Sequence, residues 1–318
     1  MFSQSGADIL ISEVGPRDGL QSVSATMPTP FKFHWISALA AAGLREIEVG
    51  SFVPPRLLPQ MADVHDVVRH ALTLPGLRVC ALAPNFRGAQ AAFEAGVHKL
   101  TVPVSVSESH SLANVRKTRA QMLDEVTSIV ALRNEQYPSI EIEAGLSTAF
   151  GCTIEGVVPE DDVIRLADAL VARGVDEVGP SDTSGYANPA QVRQMFARLY
   201  AAIGRPRTGG AHFHNTRGQG LANVVAALEA GVTTFDASQG GIGGCPYAPG
   251  ATGNIVTEDL VWLLESMGLR TGVDLEALVS ARAWLRDGLP GEPLYGHVAE
   301  AGLDKGFRYA GTTGSTLS

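Results

Sequence analysis

Eight short apolar runs, starting near Ile9, Glu46, Arg78, Lys99, Ile140, Glu177, Ala211 and Thr234, recur along a chain of 318 residues. Nearly every run is followed by a stretch of helical periodicity, as in Phe31 to Gly43 and Asp161 to Arg173. Strands of this β-branched kind are buried on both faces, and parallel neighbours need a crossover helix between them. Eight β-α units therefore predict an α/β fold, the TIM (β/α)8 barrel, which takes roughly 250 residues. That assigns residues 1–270 to a catalytic barrel and leaves 271–318 as a short C-terminal helical extension and tail packing on it. Gly43, Gly96, Gly174 and Gly231 stand where a helix hands over to the next strand.

A barrel of this type carries its chemistry at the C-terminal ends of its strands. The notable polar residues fall on that rim. Arg17 and Asp18 follow the first run, Glu48 and Ser51 close the second, Asp182 follows the sixth, and His212 and His214 end the seventh. Cys245 and Asn254 come after the eighth, with Asn254 expected to open a helix behind the glycine-rich run Gly240 to Gly244. Side chains two apart on a strand point to one face, so the His-x-His pair in Gly210 to His214 can meet a single ion together with Asp18 and Asn254. A set of two nitrogens and two oxygens suits Mg2+ or Mn2+ as well as Zn2+ or Co2+. A lone Asp after a strand is usually a helix cap, and a lone His a hydrogen-bonded structural residue. Two adjacent buried imidazoles without a partner would be costly, and the metal reading outweighs these alternatives.

The composition, 45% hydrophobic and 18% charged, supports a large core, and no apolar run is long enough to span a bilayer. The first residues lack the basic and apolar regions of a signal peptide, so a soluble, cytoplasmic protein with no membrane partner is expected. A net charge of −9 argues against a nucleic-acid partner, although the local basic patch from Arg116 to Arg119 could meet an anionic ligand. Three widely spaced cysteines read as reduced thiols. Cys80 and Cys152 fit small core residues, whereas Cys245 sits in Gly-Gly-Cys-Pro-Tyr, where glycine density suggests a loop that closes on a ligand.

Several segments together resemble the 3-hydroxy-3-methylglutaryl-CoA lyase family. They are Glu13 to Gln21 (Glu-Val-Gly-Pro-Arg-Asp-Gly-Leu-Gln), Ile47-Glu48 with Ser51-Phe52, Phe150-Gly151-Cys152, His212-x-His214-Asn215, Gly243 to Ala248 and Gly253-Asn254. The likeness is co-linear from about residue 8 to 275. It implies a metal-dependent retro-Claisen lyase acting on an acyl-CoA, with Asp18, His212, His214 and Asn254 ligating Mg2+ or Mn2+. By the same resemblance Arg17 would stabilise the enolate, Cys245 would transfer a proton, and Glu48 and Asp182 would support the site. Arg17, Gln21, Ser51, Asp182 and Thr183 would face the substrate, and His212 or Asp18 would take the hydroxyl proton. A homo-oligomer, dimer or higher, is expected.

Two segments depart from the family. Ser22-Val23-Ser24 stands where many members carry Asn-Glu-Lys, and Gly179 to Ser184 reads Gly-Pro-Ser-Asp-Thr-Ser in place of Ser-Leu-Gly-Asp-Thr-Ile. Both lie near the expected acyl pocket. A related substrate such as citramalyl-CoA, giving acetyl-CoA and pyruvate, is therefore the alternative. Next come a Claisen-type synthase, which usually carries a longer C-terminal region, and a non-catalytic metal-binding barrel, which would have no use for Arg17 and Cys245.

Overall fold

A computed structural model describes residues 6–243 and 253–312 of the chain. Its strands are β1 (Leu10–Glu13), β2 (Glu46–Ser51), β3 (Arg78–Leu82), β4 (Lys99–Ser105), β5 (Glu141–Ser147), β6 (Glu177–Asp182), β7 (Ala211–Phe213) and β8 (Thr234–Ala237). They pair in sequence order, all parallel, and β8 closes the barrel on β1 through the register Leu10↔Thr234 to Glu13↔Ala237. The protein is thus the eight-stranded parallel barrel that its alternating pattern predicts. Helices Thr29–Ala41, Val64–Ala71, Phe86–Ala95, Arg119–Gln136, Glu160–Val171, Pro189–Ile203, Gly220–Ala230 and Thr257–Ser266 form the outer ring. A further helix, Glu108–Val115, precedes Arg119–Gln136 and was not foreseen by periodicity.

Local chemistry sets the helix ends. Thr118 and Gln121 form a reciprocal capping box at one N-terminus, and Asn188 and Gln191 form another. Gly96 (φ 85°) and Gly231 (φ 95°) are left-handed C-caps, a backbone region closed to most side chains.

Strand alternation divides two different surfaces. On β2, Ile47 and Val49 point outward into the helices, and so do Val79, Ala81, Leu100, Val102, Ile142 and Ala144 on the next three strands. The inward set is charged. Glu46, Glu48, Cys80, Lys99, Thr101, Glu143, His212 and Asp236 line the barrel's cavity. Lys99 Nζ lies 3.5 Å from Glu46 Oε1 and is also paired with Glu143, while Arg78 donates to Glu46 over 2.8 Å. Burial opposes the charge on Lys99, but Glu143 and Glu46 overcome it and hold the ammonium well above its ordinary pKa. The helix-facing side of each strand is buried, as the composition predicts, whereas the inner side of β5, β7 and β8 stays partly open to the cavity and the barrel holds an ion-pair network rather than an apolar plug.

Beyond the barrel, helix Leu275–Gly288 packs on Thr29–Ala41. Trp284 stacks on His34 at 4.6 Å between ring centroids and meets Phe31 edge-on. Asp259 holds the start of helix His297–Ala301 by accepting from the His297 and Val298 amides. No helix among the described residues is long and apolar enough to cross a membrane.

Candidate active site

The segment after β1 is a wide, π-helical turn, Gly15–Gly19, in which the Gly19 amide reaches back 3.4 Å to the Val14 carbonyl. Glu13 shapes it from below. Its Oε1 accepts from the Gly15 amide at 2.9 Å and from the Gln239 amide at 2.9 Å, and its Oε2 accepts from Thr257. A Cβ at residue 15 would lie 2.5 Å from Glu13 Oε1, so the first glycine of Gly-Pro-Arg-Asp-Gly is a steric requirement. Burial raises the Glu13 pKa to about 8 against the help of Thr257 and the two amides. Arg17 and Asp18 are turned into the barrel mouth, both buried. Asp18 caps no helix.

His212 and His214 straddle the end of β7 with their Nε2 atoms 3.1 Å apart. Asp18 joins them, and one ligand atom from each of the three lies within 4.8 Å of the others. Asn254 stands beside the group, donating to Asp18 Oδ2 at 2.7 Å, but from a different setting than its sequence suggests. It forms an isolated bridge with His214, flanked by Asn215 N–Gly253 O and Ile255 N–Phe213 O hydrogen bonds of 3.2 Å each. The helix begins only at Thr257. Gly253 permits the approach, because a Cβ there would stand 2.0 Å from the Gly241 carbonyl oxygen.

Two observations fit this cluster to a cation. The Asn254 carbonyl oxygen is buried without a hydrogen-bond partner, while the Asn254 amide donates to Asp18 Oδ2 at 2.7 Å. Burial lowers the His214 pKa to about 4, assisted by the neighbouring His212, so this imidazole is held neutral with a lone pair to offer. Burial would raise Asp18, but Arg17, His212 and His214 outweigh it and bring its pKa to about 2, an ionised ligand. One carboxylate, two imidazoles and an amide oxygen form a donor set that a divalent ion can satisfy.

Arg17 bridges the cluster to β2. Its Nε donates to Glu48 and one terminal nitrogen donates to Asp18. Burial raises the Glu48 pKa although Arg17 pulls the other way. The cluster opens into a cavity of about 750 Å³ whose walls include Gln21, Ser51 and Thr183. Gln21 Nε2 also donates to Asp18 Oδ1 at 3.1 Å, whereas Thr183 Oγ1 accepts from the Thr148 amide. Asp182 is placed differently. It does not line the cavity, and its Oδ1 accepts from the Tyr186 and Ala187 amides while Oδ2 is buried without a partner. Burial raises its pKa to about 6 against those two amides. Cys245 lies outside the described residues. Cys80 and Cys152 are buried free thiols, but Cys80 points into the polar cavity rather than into the apolar core its sequence context suggests.

Asp236 on β8 was missed by sequence reasoning. It stands opposite His212 in the β7–β8 register, and its Oδ2 is 3.0 Å from His212 Nδ1. The available signal was an acid in the otherwise apolar run Thr234-Phe235-Asp236-Ala237, pointing inward by the two-residue period.

With this geometry in hand, comparison with known proteins is specific. The sequence model of the HMGL-like family matches residues 8–285. The hydroxymethylglutaryl-CoA lyase YngG of Bacillus subtilis is 43% identical over 286 residues, covering 90% of this chain and 94% of the relative. The hydroxymethylglutaryl-CoA lyase of Pseudomonas mevalonii is 40% identical, over 85% and 89% of the two chains. Among solved structures, an HMG-CoA lyase from Acinetobacter baumannii in complex with coenzyme A and 3-methylmalate superposes with a TM-score of 0.89 at 38% identity. That match covers 97% of this chain and 99% of the other. By the extent of these matches and by the barrel they share, the chain belongs to the HMGL-like family.

Proposed function

We propose that the protein is a divalent-metal-dependent carbon–carbon lyase that cleaves 3-hydroxy-3-methylglutaryl-CoA into acetyl-CoA and acetoacetate. The observation that carries the reading is Arg17, a buried and permanently charged donor, beside the Asp18–His212–His214 cluster at the mouth of a substrate-sized cavity. The hydroxymethylglutaryl-CoA lyases to which the chain is similar, one of them with coenzyme A bound, support the thioester.

A bound Mg2+ or Mn2+, held by Asp18, His212, His214 and Asn254, would act as Lewis acid toward the substrate's hydroxyl and as a template for its carboxyl end. In the cleavage, the hydroxyl proton leaves to a carboxylate oxygen of Asp18, because both His212 nitrogens are engaged, and C3 becomes a ketone. The C2–C3 electron pair then moves into the thioester as an enolate. Arg17, fixed by Glu48, faces that developing negative charge. Gln21, Ser51 and Thr183 are polar groups on the cavity wall available to the acyl chain. The enolate carbon finally takes a proton, for which the sequence offers the Cys245 thiol, and no other atom is gained or lost. Cys245→Ser is expected to slow turnover far more than it affects acyl-CoA binding, because a hydroxyl is a much weaker acid than a thiol of pKa roughly 8.5. Alkylation should inactivate the wild type and leave the residual activity of the serine variant unchanged. Cys80 and Cys152 are both buried, Cys80 on the cavity wall, so inactivation should track modification of Cys245 in peptide mass spectrometry, and inactivation tracking Cys80 or Cys152 would remove Cys245 from the reaction.

The acid half of the substrate is the finer question. Where many relatives carry Asn-Glu-Lys, Ser22 here donates to the Asp18 carbonyl at 3.0 Å and Val23 is buried, so neither presents a charge to the acyl end. Purified protein with Mg2+ should release acetyl-CoA and acetoacetate in equal amounts from 3-hydroxy-3-methylglutaryl-CoA, with a higher kcat/KM than for citramalyl-CoA. Pyruvate release from citramalyl-CoA at the higher kcat/KM would replace this substrate with the alternative.

A further inference from the structure

We infer that Asp236 is a positioning residue for His212, fixing the imidazole so that Nε2 is the nitrogen offered to the bound ion. The inference rests on the metal reading above and concerns how the ligand set is prepared. Three observations carry it. Asp236 Oδ2 lies 3.0 Å from His212 Nδ1, so the proton on that ring sits on Nδ1 and the lone pair on Nε2. Nε2 is the atom that faces His214 at 3.1 Å and turns toward Asp18. The pairing is built into the barrel rather than into a loop, because Asp236 and His212 are register partners on β8 and β7, and residue 236 follows Phe235, which is fully buried.

The neighbouring groups sharpen the assignment. Asp236 adds to the negative potential felt by Arg17, yet the Arg17 hydrogen bonds go to Glu48 and Asp18. His212 is therefore the group that Asp236 contacts directly, and the carboxylate stays partly open to the cavity with a side-chain exposure of 29%. The two histidines differ in this respect. His214 Nδ1 is buried without a partner, so no acceptor stands behind its ring, whereas the His212 ring is held from behind by a carboxylate. A carboxylate at that place also makes the imidazole more electron-rich, which strengthens it as a ligand.

The test uses the full-length protein, stripped of metal and titrated with Mn2+ by calorimetry, alongside 15N spectra of its histidine rings. Asp236→Ala should fold with an unchanged far-ultraviolet spectrum, lose the preference of His212 for the Nδ1–H tautomer, and bind Mn2+ about 10- to 100-fold more weakly. Asp236→Asn keeps the shape without the charge and should fall between the two; if the alanine variant does not fold, this variant decides. Unaltered Mn2+ affinity and an unaltered His212 tautomer in a folded variant overturn the inference. Wild-type protein that binds no Mn2+ would instead overturn the metal reading itself, so the two failures are distinguishable.

Discussion

Stripping the protein of divalent metal abolishes turnover, Mg2+ or Mn2+ restores it, and His214→Ala is not restored by either: this is the expected behaviour of the cluster at the barrel mouth. His214 is the cleanest probe because its ring is buried and its Nε2, 3.1 Å from His212 Nε2 and 4.0 Å from Asp18 Oδ2, sits at the ligand point the three share. Its lowered pKa, from burial first and the adjacent His212 second, means that no proton need be displaced for it to bind a cation at neutral pH. Truncation to alanine removes an apolar ring edge along with the ligand, so some loss of melting temperature is expected. The deciding comparison is metal content by mass spectrometry against acetyl-CoA release. Full activity in a preparation with no detectable metal would sink the proposal, whatever the variant does.

The barrel was legible because its signal is repeated: eight runs with the same β-then-α rhythm over-determine one topology even where single boundaries shift by a residue or two. The ligands were legible for a related reason. The two-residue period that puts His212 and His214 on one face is a local property of a strand, and it survives folding with the Nε2 atoms 3.1 Å apart. What failed to show were relations set by distant chain segments. Asn254 was expected at a helix start, but pairing beside β7 draws it into an extended bridge with His214 three residues before that helix. Asp236 becomes a partner of His212 only through the β7–β8 register, which no single segment encodes. Glu13 reads as an ordinary strand end, yet it joins the Arg17–Asp18 turn to the segment following β8 by accepting from Gly15 and Gln239.

The charged barrel interior has the same origin and a consequence for the site. Glu46, Lys99 and Glu143 satisfy one another beneath the Arg17–Glu48 pair, on the inward sides of β2, β4 and β5. A buried network of this kind is costly when half satisfied and rigid when complete. The apolar faces of the same strands, Ile47 and Val49 among them, meet the helices and carry the packing. Stability and chemistry thus occupy opposite sides of one strand.

Arg17→Met is expected to leave a folded, metal-binding protein whose kcat falls by 10²- to 10³-fold or more, corresponding to the loss of an oxyanion donor, about 3 kcal/mol. Methionine retains much of the buried stem while deleting the charge that faces the developing enolate. The metal ligands should tolerate the change. Arg17 is the largest influence depressing the Asp18 pKa, and without it the carboxylate becomes a slightly stronger base rather than a weaker ligand. Glu48 is the complication, since the substitution leaves it buried without its cation, an arrangement that costs about 3–5 kcal/mol if the charge persists. Its pKa already lies above the ordinary value through burial, so in the variant it should take up a proton and limit the damage to stability. The double variant Arg17→Met/Glu48→Gln separates the two effects. It should recover the melting temperature lost by the single variant without recovering kcat, because stability depends on pairing Glu48 whereas rate depends on the guanidinium itself. If removing the stranded carboxylate brings kcat back along with stability, Arg17 serves the fold and the enolate is stabilised by another group.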